Sequence, residues 1–313
     1  MTDVITKRNK QKKNYSQFGV KRNWQLLVML SGAVIFTFVF AYIPMYGIIM
    51  AFQDYNPALG IKGSPLIGFD NFTRFFQSFQ FKNLMVNTFL VSFLGFIIGF
   101  PLPIIVALLL NSLRSTKLKG VFQTIFNAPH FISVVVLVGM IFLFFGEYGL
   151  VNSIITHFGG SRISFLLEAK WFRTLFIGSG NWQETGWSSI IYLAALSGVD
   201  PQLHEAAKID GASRFKRIIH IDFPAIFPTI SVILILSIGN LLSVGYEKVL
   251  LMQTGTNLAT SEIISTYVYK IGLTGLSEPG YAAAIGLFNS LINVVLLVIA
   301  NYSAKRFSEH SLW

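Results

Sequence analysis

Residues 200–226, DPQLHEAAKIDGASRFKRIIHIDFPAI, form the longest polar stretch in the second half of this chain, and long apolar blocks flank it. Asp200 is a favoured N-cap residue and Pro201 suits the first position of a helix, so a helix is predicted to start here. Gly211 is placed to end that helix in a left-handed conformation. A second helix is predicted to follow, and Pro224 is predicted to mark the turn into the next apolar block. A simple connection needs only about 2–8 residues, so this longer helix-turn-helix is predicted to contact a partner.

The composition indicates a membrane protein. Of the 313 residues, 53% are hydrophobic and only 12% are charged. A soluble domain carries about 25% charged residues, so a large soluble core does not explain these values. The chain has no cysteine, which excludes disulfides, cysteine metal sites and thiol catalysis.

Six apolar segments are long enough to cross a bilayer, for which a helix needs about 20 residues. The predicted fold is therefore all-α, a polytopic membrane protein with about six transmembrane helices. The fourth segment is the least apolar, because it contains Asn181, Gln183 and Glu184. Such groups should face a protein interior or a water-filled path rather than lipid. The six predicted spans are about 26–50, 84–110, 124–145, 173–197, 226–249 and 281–302.

Basic residues are distributed unevenly between the two sets of loops. The N-terminal tail, the loops after spans two and four and the C-terminus contain 16 Lys and Arg, and the three longer opposite loops contain 8 when Arg173 and Lys248 at the ends of the adjoining spans are included. The richer side is predicted to be cytoplasmic, with both termini inside. This asymmetry accounts for the net charge of +10 without a nucleic-acid partner. The predicted organisation is a basic cytoplasmic tail (1–25), a transmembrane domain (26–302) that contains the loop at 200–226, and a cytoplasmic C-terminal tail (303–313).

The loop at 53–81, predicted to lie outside, is rich in turn residues and then in aromatic residues at helical spacing. This pattern predicts a short interfacial helix whose Phe side chains pack against the bundle. Contact between these Phe side chains and a partner outside the membrane is the alternative.

The polar stretch also carries a specific motif. Glu205-Ala206-Ala207, three residues, Gly211, nine residues and then Ile221-Asp222-Phe223-Pro224 resembles the EAA motif of permease subunits of binding-protein-dependent ABC importers. That motif reads EAA-x3-G-x9-I-x-L-P. Phe223 stands where Leu is usual, and His204 stands where many relatives have Tyr.

Three further stretches extend the resemblance over most of the chain. Residues 107–136, 181–196 and 283–313 are similar to the LplB-type branch of this family. That branch consists of permeases of oligosaccharide and polysaccharide importers and is related to the maltose permeases. The resemblance therefore implies a type I ABC importer permease in a bacterial plasma membrane.

The resemblance also implies the partners of the chain. The loop at 200–226 would dock as a coupling helix into a cleft of a cytoplasmic ABC ATPase dimer, and a second homologous permease and an extracellular sugar-binding lipoprotein would complete the importer. The chain contains no G-x-x-x-x-G-K-[ST] phosphate loop, so ATP and Mg are expected on the ATPase and no cofactor or metal on this chain. The implied ATPase-docking residues are Glu205, Ala206, Ala207, Gly211, Ile221 and Pro224.

A sugar path needs aromatic faces for the rings and polar groups for the hydroxyls. Glu184, close to two tryptophans, lies either on this path or in a packed interface. Asn240 forms either an interhelical hydrogen bond or a solute contact. His130 follows Pro129 early in span three and is expected to be structural, near the cytoplasmic end. The candidate path residues are Glu184, Trp182, Trp187, Gln183, Asn240, Tyr246 and Glu247.

Three other functions agree less well with the sequence than sugar import does. A permease for a non-sugar solute would share the motif but not the LplB-like stretches. An integral-membrane sugar transferase would need paired acidic residues or a metal site at a membrane face, and the sequence offers neither. A proton- or sodium-coupled carrier would have no use for the EAA loop.

Overall fold

The computed structural model describes residues 24–274 and 277–307. Within these ranges the chain is almost entirely helical, and its one β contact is an isolated bridge between Gln53 and Leu66. The all-α prediction is therefore confirmed. The chain divides between Ile49 and Met50 into two compact units, which are described separately. The predicted tails at 1–25 and 303–313 lie largely outside the described residues, and their boundaries stay a prediction.

The first unit contains one helical segment. Helix α1 (Trp24–Thr37) continues as a π-helix (Phe38–Tyr42) and then as a 3₁₀-helix (Ile43–Phe52), whose last residues belong to the second unit. The helices of the second unit are α2 (Gly60–Gly63), α3 (Asp70–Gln77), α4 (Phe81–Gly99), α5 (Pro101–Asn111), α6 (Thr116–Asn127), α7 (Val134–Phe145), α8 (Leu150–His157), α9 (Ala169–Ser197), α10 (Pro201–Ile209), α11 (Arg214–Arg217), α12 (Phe223–Gly239), α13 (Tyr246–Met252), α14 (Leu258–Ser261), α15 (Ile264–Leu273) and α16 (Pro279–Phe307).

Five helical segments are long and apolar enough to cross a membrane, judged by length and composition. They are Trp24–Phe52, Phe81–Asn111, Val134–His157, Arg214–Gly239 and Pro279–Lys305. The fourth predicted span, 173–197, lies within α9, which has 29 residues. A helix rises about 1.5 Å per residue, so α9 is about 44 Å long and could also cross, although its polar residues keep it out of this apolar set.

The predicted limits of two spans were wrong. Span three was placed at 124–145, but a 3₁₀ turn (Ala128–Phe131) separates α6 from α7. Pro129 lacks the backbone donor that a continuous helix would use there. Span five was placed at 226–249, but α12 ends at Gly239, and the chain runs through a non-helical segment before α13 begins at Tyr246.

Helix α9 lies at the centre of the second unit. One part of its buried face packs with α4, α7 and α13, and another part packs with α5 and α12. A third apolar cluster joins α3, α4, α15 and α16 through Phe75, Leu84 and Ile285. The predicted short helix is therefore present as α3, and Phe75 packs as expected, while Phe79 just beyond the helix is 91% exposed. Its interfacial position stays a prediction.

The two ends of the bundle are held by different contacts. At one end, buried Asn87 of α4 donates to the carbonyls of Ala259 and Glu262, and its Oδ1 accepts a hydrogen bond from Arg173 of α9 at 2.8 Å. The other end contains the last turns of α5 and α9, helices α10 and α11 and the start of α12. We call this second end the coupling end.

Gly186 allows α9 to approach α6 closely. A Cβ atom at this position would lie 2.0 Å from the carbonyl oxygen of Phe126, whereas a Cβ at Gly178 of the same helix would meet no atom within 4 Å. Gly186→Ala should therefore destabilise the protein by about 1–3 kcal/mol, since overpacking forces the backbones apart.

Thermal unfolding in detergent measures this effect. Gly186→Ala should lower the melting temperature, and Gly178→Ala should leave it unchanged or raise it slightly, because Ala favours a helix. Equal melting temperatures for the two variants would contradict the close packing of α6 on α9.

Candidate functional site

The loop at the coupling end begins with the predicted capped helix. Asp200 Oδ1 accepts a hydrogen bond from the backbone N–H of Gln202 at 2.9 Å, and Pro201 occupies the first turn of α10. Gly211 follows the helix with φ +75°, in the left-handed region. The Ala212 N–H donates to the Ala207 carbonyl at 2.8 Å, which completes a Schellman motif. The predictions for Asp200, Pro201 and Gly211 are confirmed.

The predicted second helix is present in the second half of the loop, but it does not end as predicted. The Ser213 side chain caps α11, and a π-helical turn (Ile218–Asp222) then leads directly into α12. Pro224 therefore does not mark a turn of the chain, because it lies in the first turn of α12 within one continuous helical segment. Proline is tolerated at this position for two reasons. The preceding turn has the wider hydrogen bonding of a π-helix, and the N–H of a residue in the first turn of a helix has no partner within that helix.

The loop presents a mixed surface for a partner. Glu205, Ala206 and Gly211 are exposed and Ala207 is half-buried. Ile221 and Pro224 lie instead in the helical segment that enters α12. The docking roles of these six residues stay predictions.

Sequence reasoning missed the apolar part of this surface. Ile209 is 87% exposed, Phe215 is 71% exposed and Leu203 is 54% exposed. Large apolar side chains open to solvent on a short polar loop are typical of a protein contact. Their occurrence within an otherwise polar stretch is the signal that could have identified them.

Glu184 lies in a cluster that joins α9 to the break between α6 and α7. His130 Nδ1 is 3.0 Å from Glu184 Oε2, and the His130 ring stacks on the Trp187 ring with centroids 4.3 Å apart and an interplanar angle of 4°. The Phe131 ring meets Trp187 edge-on. His130, which was expected to be structural, directly contacts two of the candidate path residues, Glu184 and Trp187. Glu184 and Trp187 remain about half exposed, so the cluster has a free side.

Trp182 and Gln183 point elsewhere. Trp182 lines an apolar cavity of about 440 Å³ between α7 and α9. Gln183 is buried, and its Nε2 donates to the Ile132 carbonyl at 2.7 Å, at the start of α7. In this conformation the Gln183 amide thus supports the helix break, and Trp182 lies apart from the Glu184 cluster. Their roles in the path stay predictions.

The remaining candidates lie near the break between α12 and α13. Asn240 is exposed, and its side chain donates to the Leu236 carbonyl of its own helix, rather than forming the interhelical bond considered above. Tyr246 stacks on Tyr269 with centroids 4.8 Å apart, and Glu247 is exposed. Lys248 Nζ donates to the Phe176 carbonyl of α9 at 2.9 Å.

Helix α9 has two different faces. Gln183, Gly186 and Ser189 are buried on one face. The exposed positions recur every three or four residues, which places them on the opposite face of the helix. We call this face the α9 stripe; it consists of Glu184, Trp187, Ser188, Ile191 and Ala194.

A cavity of about 1050 Å³ lies at the end opposite the coupling end, between α3, α15 and the start of α16. Arg74 and Glu278 form a two-fold hydrogen-bonded ion pair there, and the Arg74 guanidinium lies 4.3 Å from the centroid of the Tyr281 ring. The bond to Glu278 raises the pKa of Arg74. Burial, followed by the neighbouring Tyr281, raises the pKa of Tyr267 to about 12, so this hydroxyl stays neutral.

The chain is similar to proteins of known class. Residues 99–309 match the family described as binding-protein-dependent transport system inner membrane component. The polygalacturonan/rhamnogalacturonan transport system permease protein YteP of Bacillus subtilis (strain 168) is 43% identical, over 99% of this chain and 96% of its own length. Protein LplB of the same organism is 42% identical, over 94% of this chain and 92% of its own length.

Solved structures give the same result. A crystal structure of a bacterial ABC transporter involved in the import of the acidic polysaccharide alginate contains a chain with a TM-score of 0.84 and 39% identity. The match covers 92% of this chain and 97% of that chain. The alginate transporter in complex with an alginate pentasaccharide-bound periplasmic protein contains a chain with a TM-score of 0.85 and 38% identity. That match covers 94% of this chain and 98% of that chain.

The helical bundle, the capped loop and the partly polar helix α9 define a membrane transport subunit. The chain belongs to the family of binding-protein-dependent transport system inner membrane components, as its motif predicted. It is a multi-pass plasma-membrane permease of an ABC importer, and ATP hydrolysis in such importers resides on a separate subunit. The transferase and the ion-coupled carrier are therefore excluded.

The Glu184 cluster makes a testable prediction for transport. Trp187→Ala should lower uptake roughly tenfold, since loss of aromatic contact and burial costs on the order of 1.4 kcal/mol. Glu184→Gln should lower uptake as well, because it removes the carboxylate beside His130. Uptake of labelled solute by cells with matched amounts of assembled complex measures both effects.

Tyr302→Ala is the matched control, because Tyr302 is an exposed aromatic residue on a different helix, α16. Its uptake should equal that of the unmodified protein. Normal uptake in both Trp187→Ala and Glu184→Gln would remove the cluster from the transport path.

Proposed function

We propose that this permease carries oligosaccharides into the cytoplasm, with fragments of uronate-containing polysaccharides as the first candidates to test. Support for a sugar comes from the names of the similar proteins, which concern polygalacturonan, rhamnogalacturonan and alginate. Support from the chain itself comes from the Glu184 cluster, which combines a carboxylate with an indole face. Sugars need this combination of polar and aromatic contacts.

A second homologous permease would face the α9 stripe. A carboxylate that faces hydrocarbon is costly, and such residues normally face a bundle interior or a water-filled cavity. Glu184 has one side free within this chain, so a second subunit is needed to close a polar path around it. The two permeases would then share the path, with the stripe as this chain's contribution.

A cytoplasmic ABC ATPase dimer, which holds ATP and Mg, would bind the loop at the coupling end. The single observation that carries this assignment is the exposed surface of α10 and α11, on which Glu205 and the apolar side chains of Leu203, Ile209 and Phe215 are all exposed. The apolar groups would fill the ATPase cleft, and Glu205 would pair with a basic group there. Gly211 would provide the sharp turn between the two helices.

The orientation of the chain follows from this docking. The coupling end would be cytoplasmic, and both termini would lie on the same side, in agreement with the distribution of Lys and Arg. The loops at the opposite end would then face an extracellular sugar-binding lipoprotein. The periplasmic protein in the alginate transporter complex supports a partner of this type.

Reversal of the Glu205 charge tests this function. Glu205→Lys should weaken recovery of the ATPase by at least about tenfold and abolish ATP-dependent sugar uptake, since a like-charge pair across an interface costs several kcal/mol. Pull-down of the ATPase with the tagged permease and uptake in the same cells give both values.

Glu147→Lys is the matched control, because Glu147 is an exposed glutamate in the connection between α7 and α8, away from the loop. It should leave ATPase recovery unchanged. Normal recovery and normal uptake in Glu205→Lys would contradict the docking role of this residue.

A further inference from the structure

Two residues that the EAA motif leaves variable meet at the coupling end. His204 directly precedes the motif, and Asp222 occupies the unspecified position between Ile221 and Phe223. His204 Nε2 lies 3.2 Å from Asp222 Oδ1. An imidazole that carries a proton on Nε2 can donate a hydrogen bond to this carboxylate. The contact therefore joins α10 to the end of the π-helical turn that leads into α12.

Asp222 also contacts the end of α5. Its side chain is only 4% exposed, and Oδ1 accepts a hydrogen bond from Asn111 Nδ2 at 3.3 Å. Asn111 is the last residue of α5, and its own Oδ1 accepts from Lys119 of α6 at 3.4 Å. One buried carboxylate thus receives polar contacts from α10 and α5. We call His204, Asp222 and Asn111 the Asp222 cluster.

Helix α10 depends on such a contact because it has little apolar packing. No residue of α10 is fully buried, and a polar cavity of about 650 Å³ lies between it and the ends of α5, α9 and α11. Apolar burial is the usual way to fix a helix on a bundle. The cavity leaves α10 free to move relative to the bundle unless a polar contact holds it.

The π-helical turn accounts for the placement of Asp222. A π turn contains one more residue than an α turn, so it rotates the following side chains relative to those before it. The turn covers Ile218–Asp222 and ends at the residue that is buried toward His204 and Asn111. Turns of this type are frequent at functional sites.

We propose that the Asp222 cluster is the positioning device that transmits movement of α10 to the ends of α5 and α12. This proposal rests on the proposed function, since it assumes that the ATPase moves α10. When α10 is displaced, Asp222 carries the displacement into the two membrane helices, so that ATP hydrolysis and opening of the path stay coupled. Without His204, the buried carboxylate keeps Asn111 but loses its contact with α10.

The experiment compares two histidines on the same loop. His204 contacts Asp222, whereas exposed His220 Nδ1 lies 2.9 Å from the carbonyl oxygen of Lys216, four residues earlier in its own helical segment. The complete importer is reconstituted in proteoliposomes, and sugar uptake and ATP hydrolysis are measured in one sample. Sugar transported per ATP should fall about tenfold or more in His204→Ala, because the variant loses the hydrogen bond that links α10 to the buried Asp222 carboxylate. His220→Ala should keep the value of the unmodified protein.

Two further variants separate positioning from folding. His204→Gln retains an N–H donor and should keep at least half of the coupling ratio. Asp222→Asn should lower the amount of sugar transported per ATP. The His204→Ala/Asp222→Asn double variant should be no worse than the poorer single variant, because both substitutions break the same contact. ATPase recovery by pull-down should stay normal in all of them. An unchanged ratio in His204→Ala, or equal losses in His204→Ala and His204→Gln, would overturn the proposal.

A distance measurement decides the proposal independently of sugar uptake. The chain has no cysteine, so spin labels can be attached to Gln202→Cys on α10 and Arg114→Cys beyond α5, both exposed positions. The distance between the labels should stay the same when the ATPase is trapped with ATP and vanadate, and it should change or broaden in His204→Ala. A wild-type importer without sugar uptake would contradict the proposed function alone, and equal distance distributions in the two proteins would contradict the Asp222 cluster alone.

Discussion

A charged side chain that faces hydrocarbon costs at least about 2.5–3.5 kcal/mol, and this constraint organises the bundle around α9. Glu184 satisfies it in part through His130, which is brought to the carboxylate by the break between α6 and α7. The close approach at Gly186 brings the end of α6 against α9, and buried Gln183 holds the start of α7. In the proposed importer, a second subunit would cover the α9 stripe, which this chain leaves exposed.

Length and apolar composition were enough to predict the membrane helices at 84–110 and 281–302, since a crossing helix needs about 20 apolar residues. The same reasoning failed at 128–133, where the apolar run continues but the helix does not. Pro129 removes a backbone donor locally, but the break is also held by Gln183, which bonds to the Ile132 carbonyl from a distant part of the chain. A hydrogen bond between residues so far apart in the sequence cannot be predicted from the local sequence pattern.

The loop at 200–226 likewise combines local features that the sequence predicts with a tertiary contact that it does not predict. Asp200 and Gly211 act through their own backbone neighbours, so their roles as N-cap and left-handed turn were predictable from residue type. The contact between His204 and Asp222 depends on the π-helical turn and on the approach of α5, neither of which the spacing of the motif encodes. Local capping and the tertiary contact together give α10 one position relative to the bundle.

We propose that closure of the ATPase, transmitted through the loop at 200–226, changes the exposure of the α9 stripe. Ser188 lies on this stripe and is exposed, and the chain has no native cysteine to interfere. In the reconstituted importer, an impermeant maleimide added from outside should label Ser188→Cys when the ATPase is trapped with ATP and vanadate, and should label it slowly without nucleotide. Labelling rates that do not depend on the nucleotide state would contradict the account.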